Sequence, residues 1–211
     1  MREHSSAHPC APELKQSIPI DNTDDTKVSE LLVLPQHEDP GRRGISTRTY
    51  IRDFQRAIGA PAYIPQPVIA AIHGPAFGLA LDALGAVDVR WAAADVAFSI
   101  KEVDVGLAAD LGTFARLPKL VGNASLLHEL ALSGRVFGAE EAVRLGLVSR
   151  VVAGSREEVV GAALEFAAGV ARKSPIAVTG IKRFIAHALE HSYVFSSRRP
   201  LWDGLVVGLS D

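Results

Sequence analysis

Three acidic residues stand in apolar surroundings. Asp82 lies in Gly78-Leu79-Ala80-Leu81-Asp82-Ala83-Leu84, and Glu102 follows Phe98-Ser99-Ile100. Asp110 lies in Gly106-Leu107-Ala108-Ala109-Asp110-Leu111-Gly112. An acid in such a run is either a surface group on the edge of an element or a buried carboxyl. Burial disfavours the charged form and raises a carboxyl pKa by up to ~3–5 units. A carboxyl tuned that way exchanges protons near neutral pH, as general acid and general base catalysis require. Solvated and helix-capping acids leave the same signature, and spacing alone does not say whether the three converge.

The elements around them alternate between short apolar strands and helices. Pro67 to Ile72 reads as a buried strand ending at His73-Gly74. Phe77 to Leu84 reads as a short helix that carries Asp82 and stops near Gly85. Val87–Trp91 and Val96–Ile100 read as strands, the second leading into Glu102. A small-residue loop, Gly106–Gly112, presents Asp110. Helices are expected over Thr113–Leu120, Ser125–Leu132 and Ala139–Leu145, the last closed by Gly146. Leu147–Val152 reads as a strand. Glu157–Ala171 and Pro175–Leu189 carry the longest helical patterns, the second with Ser174 as N-cap. Upstream, Ile45, Tyr50, Ile51, Phe54 and Ile58 fall close to one face of a helix over Ile45–Ile58. The alternation predicts an α/β layered fold.

Composition excludes several alternatives. The chain has 211 residues, of which 48% are hydrophobic, enough for one domain with a core. The net charge of −2, without a basic run longer than two residues, gives no footprint for nucleic acid. No apolar stretch approaches the ~20 residues of a membrane helix, so no membrane partner is expected. Cys10 is the one cysteine, reads as a spectator thiol, and fits a reducing compartment. The first twenty residues lack the apolar region of a secretory signal. The last three, Leu209-Ser210-Asp211, are not the Ser-Lys-Leu peroxisomal address.

Other polar and aromatic residues read as structural. Asp88 and Arg90 are strand-end polar groups, His73 a turn or core histidine, and Trp91 core. His187 and His191 are four apart on a helix, but no third metal ligand is evident. Gly74, Gly78 and Gly85 do not form a dinucleotide fingerprint.

The order of these segments resembles a known family. It begins with His73-Gly74 after a strand, then Gly78-Leu79-Ala80-Leu81-Asp82 and Asp88-Val89-Arg90. Lys101-Glu102-Val103-Asp104-Val105-Gly106-Leu107-Ala108-Ala109-Asp110-Leu111-Gly112-Thr113 follows, then Arg116-Leu117-Pro118-Lys119 and Val121-Gly122. Ala139-Glu140-Glu141-Ala142, Gly146-Leu147-Val148 and Lys173-Ser174-Pro175 continue it. The stretch from about Pro67 to Lys182 resembles the enoyl-CoA hydratase/isomerase (crotonase) family, and within it the dienoyl-CoA isomerase branch. Ordinary hydratases are expected to have glutamate where Asp82 stands and glycine where Asp110 stands.

The resemblance implies a crotonase-like β-β-α spiral with a C-terminal helical region, incomplete at its N-terminus. It implies three parts: a mostly irregular segment 1–44, a domain over 45–192, and an altered tail over 193–211. The implied reaction converts a 3,5-dienoyl-CoA into a 2,4-dienoyl-CoA during fatty-acid β-oxidation. Asp110 would take a proton from C2 as base, Glu102 would return one at C6 as acid, and Asp82 would help keep Glu102 protonated. The backbone N–H of Leu79 would face the thioester oxygen of a dienolate, with Gly78 and Leu107 beside the substrate. The family has consecutive glycines where this chain has Gly78-Leu79-Ala80. No cofactor and no metal is implied, since the CoA thioester is the electron sink. A homo-oligomer, trimeric or hexameric, in peroxisomes or mitochondria is implied. Residues 1–66 lack the Gly-x-Asp-Leu-type loop expected to carry a second oxyanion donor. Two alternatives stay open: a non-catalytic member that pairs with intact subunits or binds acyl-CoA, and an enoyl-CoA hydratase.

Overall fold

The computed structural model describes residues 39–190. The readings placed on Cys10, on the segment before Asp39, on His191 and on the tail lie outside the described residues.

Helix α1 spans Pro40–Tyr63. It starts earlier than Ile45 because Pro40 occupies its first turn and Asp39 caps it, accepting the Arg42 N–H at 2.7 Å. Its apolar stripe is not a core face. Ile45 is 70% exposed, Ile51 and Tyr63 are exposed as well, and only Gly59 is buried.

Two strand–strand–helix units follow. The first is β1 (Ile69–Ile72), β2 (Pro75–Phe77) and α2 (Leu79–Leu84). The second is β3 (Val89–Ala93), β4 (Ala97–Ser99) and a 3₁₀ turn over Lys101–Val105. Helices α3 (Thr113–Leu120) and α4 (Ala124–Ser133) come next. Then β5 (Phe137–Gly138), α5 (Ala139–Leu145), β6 (Arg150–Val152), α6 (Arg156–Ala171) and α7 (Pro175–Glu190) complete the order. Phe77 belongs to β2, not to the helix expected there. Three residues opened by a proline carry too little pattern to read as a strand.

Each unit gives one strand to each of two sheets. One sheet is β1-β3-β6, all parallel, with Ile69 opposite Val89 and Trp91 opposite Arg150. The other is β2-β4-β5, parallel between β2 and β4 and antiparallel between β4 and β5. Side chains alternate across the first sheet. Ile72 and Ala92 enter the main core with Phe98, Leu117 and Leu130. Trp91 and Ala93 enter a second cluster with Val159 and Ala163 of α6. Both faces of the sheet are therefore covered, and its strands read as continuous apolar runs.

Trp91 is core, as expected. It lies 5.0 Å from the Phe166 ring and under the Arg150 guanidinium at 4.7 Å. Arg90 is structural too, donating to the carbonyls of Leu147, Leu84 and Val87 at 2.8, 3.1 and 2.6 Å. Asp88 accepts the Val68 N–H at 2.7 Å and pairs with the Lys182 ammonium at 2.9 Å. Lys182, buried on α7, also donates to the Pro61 and Gln66 carbonyls at 2.7 and 2.9 Å. This lysine clamps α7 to the end of α1 and the lead-in to β1. His73 is exposed at a turn.

Candidate active site

Gly78 closes β2 with φ +50, a backbone geometry that favours glycine. Its N–H donates to the Ser99 carbonyl at 2.9 Å, which ties the start of α2 to the end of β4. Leu79 opens α2. The first N–H groups of a helix have no partner within it.

One turn into α2, Asp82 is 1% exposed. Its Oδ1 accepts the backbone N–H of Thr113 at 2.6 Å. That bond joins α2 to the first residue of α3. The Thr113 hydroxyl is buried beside it. Burial pushes the Asp82 carboxyl up from its ordinary value, opposed by the Thr113 N–H and the charge of Arg116. The charge of Asp110 adds to the rise.

Glu102 sits in the 3₁₀ turn that leaves β4. The turn ends at Gly106, whose φ of +73 is left-handed, and the Leu107 N–H returns to the Glu102 carbonyl at 3.0 Å. A Cβ built on Gly78 would lie 3.4 Å from Glu102 Oε1, so the carboxyl faces the start of α2. Its Oε2 is buried and has no hydrogen-bond partner among the described residues. Burial raises the Glu102 carboxyl, and the neighbouring Asp82 charge raises it further.

Asp110 differs from the other two acids. It is exposed, because the small-residue loop buries Ala109 and Gly112 but turns Asp110 outward between them. The loop is held by the Asp110 N–H on the Ala108 carbonyl at 2.8 Å. From α1, the Gln55 side-chain amide donates to the Asp110 carbonyl at 3.1 Å. Asp110 opens onto a cleft of about 710 Å³ lined also by Gln55, Arg56, Tyr63, Arg116 and Leu189. A larger groove of about 830 Å³ runs along α1 alone and meets none of the three carboxyls.

The Asp82 carboxyl feels the charge of Asp110, and Glu102 that of Asp82, but of the three acids only Asp110 lines the cleft. Gly78 lies against Glu102, whereas Leu107 is 65% exposed and does not line the cleft. Sequence reasoning missed Gln55 and Arg116. No pattern ties Gln55 to a loop 55 residues away. Among the described residues no group of three or more His, Cys, Asp or Glu is arranged to hold a metal ion.

The family described as enoyl-CoA hydratase/isomerase matches residues 40–197. The chain belongs to this family. Its paired sheets and strand–strand–helix units are the crotonase-like β-β-α fold. A solved structure of a probable enoyl-CoA hydratase/isomerase from Mycobacterium abscessus superposes with a TM-score of 0.69 at 31% identity. The match covers 77% of this chain and 63% of that one. The human mitochondrial Delta(3,5)-Delta(2,4)-dienoyl-CoA isomerase is 43% identical over 161 residues, covering 76% of this chain and 49% of that protein. The peroxisomal enzyme of the same name from Arabidopsis thaliana is 46% identical over 154 residues, covering 73% and 55%. The chain spans about half the length of these curated relatives.

Proposed function

We propose that this crotonase-family chain shifts the double bonds of a 3,5-dienoyl-CoA to give a 2,4-dienoyl-CoA. The observation that carries this reading is Glu102, a carboxyl with one oxygen buried and unpartnered among the described residues, raised by burial and by Asp82. A carboxyl in that state holds its proton and can donate it. Asp110, exposed on the cleft, is the complementary base.

The reaction runs in two proton transfers. Asp110 removes a proton from C2, and the electron pair enters the conjugated system as a dienolate. The charge falls on the thioester oxygen, where the Leu79 N–H is the proposed donor. A well-placed donor of this kind is worth about 3–4 kcal/mol. Glu102 then delivers its proton to C6, and the double bonds settle at C2 and C4. Asp82 stays ionised and makes loss of the Glu102 proton costly, since neighbouring carboxyls resist double ionisation. Gly78 leaves space beside Glu102, and Leu107 is proposed to meet the acyl-CoA. The chemistry calls for no cofactor. A homo-oligomer is the proposed working form, and by likeness to the named relatives its proposed compartment is the mitochondrion or peroxisome.

A second reading, a non-catalytic subunit that pairs with other family members, is favoured by exposed apolar side chains. Ile45 of α1 is 70% exposed, and Ile181 and Ile185 of α7 are each 59% exposed. The test is absorbance of the conjugated product when folded protein meets a 3,5-dienoyl-CoA. Turnover that falls about 10²–10⁴-fold in Asp110→Asn is the expected result. Wild type as inert as Asp110→Asn, with both folded, overturns the isomerase reading in favour of the second.

A further inference from the structure

Asp110 is the acid that meets the cleft, and it is exposed on a loop of small residues. A general base must sit within about 2.6–3.2 Å of the proton it takes. A displacement of about 1 Å can cost about 10²-fold in rate. No packing aims an exposed carboxylate. Its direction starts from the Cα–Cβ bond, and the two peptide planes that meet at Cα set that bond. The plane before Asp110 is held at both ends. The Asp110 N–H donates to the Ala108 carbonyl at 2.8 Å, and the Ala109 carbonyl accepts the Phe114 N–H at 3.2 Å.

The plane after Asp110 is held from a distant part of the chain. Its carbonyl accepts the side-chain amide of Gln55 at 3.1 Å. Gln55 is half-buried on α1 and lines the same cleft. The helix that carries it is itself fastened further along, where Lys182 donates to the Pro61 carbonyl at 2.7 Å. The donor therefore comes from an anchored element. At the far end of the loop, Asp82 accepts the Thr113 N–H at 2.6 Å. The short segment from Asp110 to Thr113 is thus tied at each end, to α1 through Gln55 and to α2 through Asp82.

We propose that Gln55 is a positioning residue: its amide, set on α1, holds the Asp110 carbonyl and so keeps the Asp110 carboxylate aimed into the cleft. This rests on the isomerase reading above. The test compares the full chain with Gln55→Met and Gln55→Glu, which keep the length of the side chain, suit a helix and lose the donor. With a 3,5-dienoyl-CoA, kcat is expected to fall about 10- to 100-fold in both variants, with KM within about twofold of wild type. A raised KM with kcat kept places Gln55 on the substrate and overturns the proposal. Variants that match wild type in both constants overturn it as well. Hydrogen exchange is followed on the same samples and needs no activity. The Asp110 and Phe114 amides, bound at the two ends of the peptide before Asp110, should exchange about tenfold faster in Gln55→Met, the weight of one ordinary hydrogen bond, while those of β3 keep their wild-type rates. Unchanged exchange in folded Gln55→Met overturns the proposal, and so does an equal acceleration that includes β3, which would be lost global stability. An inert wild type sinks the isomerase reading alone, and exchange then decides by itself whether Gln55 holds the loop.

Discussion

Two sets of charged residues lie in this domain, and their surroundings differ in kind. Asp88, Arg90 and Lys182 are supplied with partners: Lys182 has a carboxylate and two carbonyls, and Arg90 has three carbonyls. Asp82, Glu102 and Asp110 are set against one another. Asp82 is raised by burial and further by Asp110, Glu102 is raised by burial and further by Asp82, and Glu102 keeps a buried oxygen without a partner among the described residues. The first arrangement is what a fold does with charges that it needs for cohesion. The second costs stability, and such groups persist where a protein uses their proton affinity. Burial alone would not separate the two sets, because Asp82 and Lys182 are both buried.

The sharpest way to break that comparison is to remove the unpartnered acid. Glu102→Gln keeps shape and removes the transferable proton. Turnover is expected to fall about 10²–10⁴-fold while the protein stays folded. If activity survives with folding intact, Glu102 is not the acid, and the contrast loses its functional half. The opposite substitution tests the cohesive set. Lys182→Met leaves Asp88 and the carbonyls of Pro61 and Gln66 without their shared donor. Breaking a fully buried pair costs about 3–5 kcal/mol; Asp88 keeps some contact with water, so about 2–3 kcal/mol is expected. Chemical denaturation measures it. A loss below about 1 kcal/mol would make the clamp an ordinary surface pair.

The sequence disclosed the acids more readily than what holds them. Thr113–Leu120 and Ala139–Leu145 are helices with the expected bounds, because Gly112 and Gly146 mark their edges. Strands β2 and β5, three and two residues long, carry no periodicity that a reading can use. They exist because β4 lies between them and offers backbone groups to both. Asp82 stood out because Leu81 and Leu84 flank it in the chain, and its burial follows from theirs. Asp110 stood out on the same grounds, yet the loop turns it to the cleft. The partners were hidden by distance. Lys182 meets carbonyls 121 and 116 residues away, and the Arg116 side chain runs against Gly59, Gly85 and Gly112, from three separate places in the chain. The stripe on α1 located a helix and nothing more, since periodicity reports a face that needs covering and not what covers it in the described residues.

The smallest expected effect separates the two sets most cleanly, because it reads the cost of the functional one. The folded-state pKa of Glu102 lies above its unfolded value, so between the two the folded protein holds more protons than the unfolded chain. Its stabilising share is complete below the ordinary glutamate range and is lost as pH rises through the folded-state value. At neutral pH the residue therefore favours unfolding relative to an uncharged isostere. Glu102→Gln should match or exceed wild type in denaturant midpoint at neutral pH, and the gap should close as the pH falls to about 4. Lys182→Met should be destabilised at both pH values. A Glu102→Gln protein less stable than wild type at neutral pH would show that the carboxylate is held by favourable contacts. Glu102 would then belong with Asp88 among the cohesive charges.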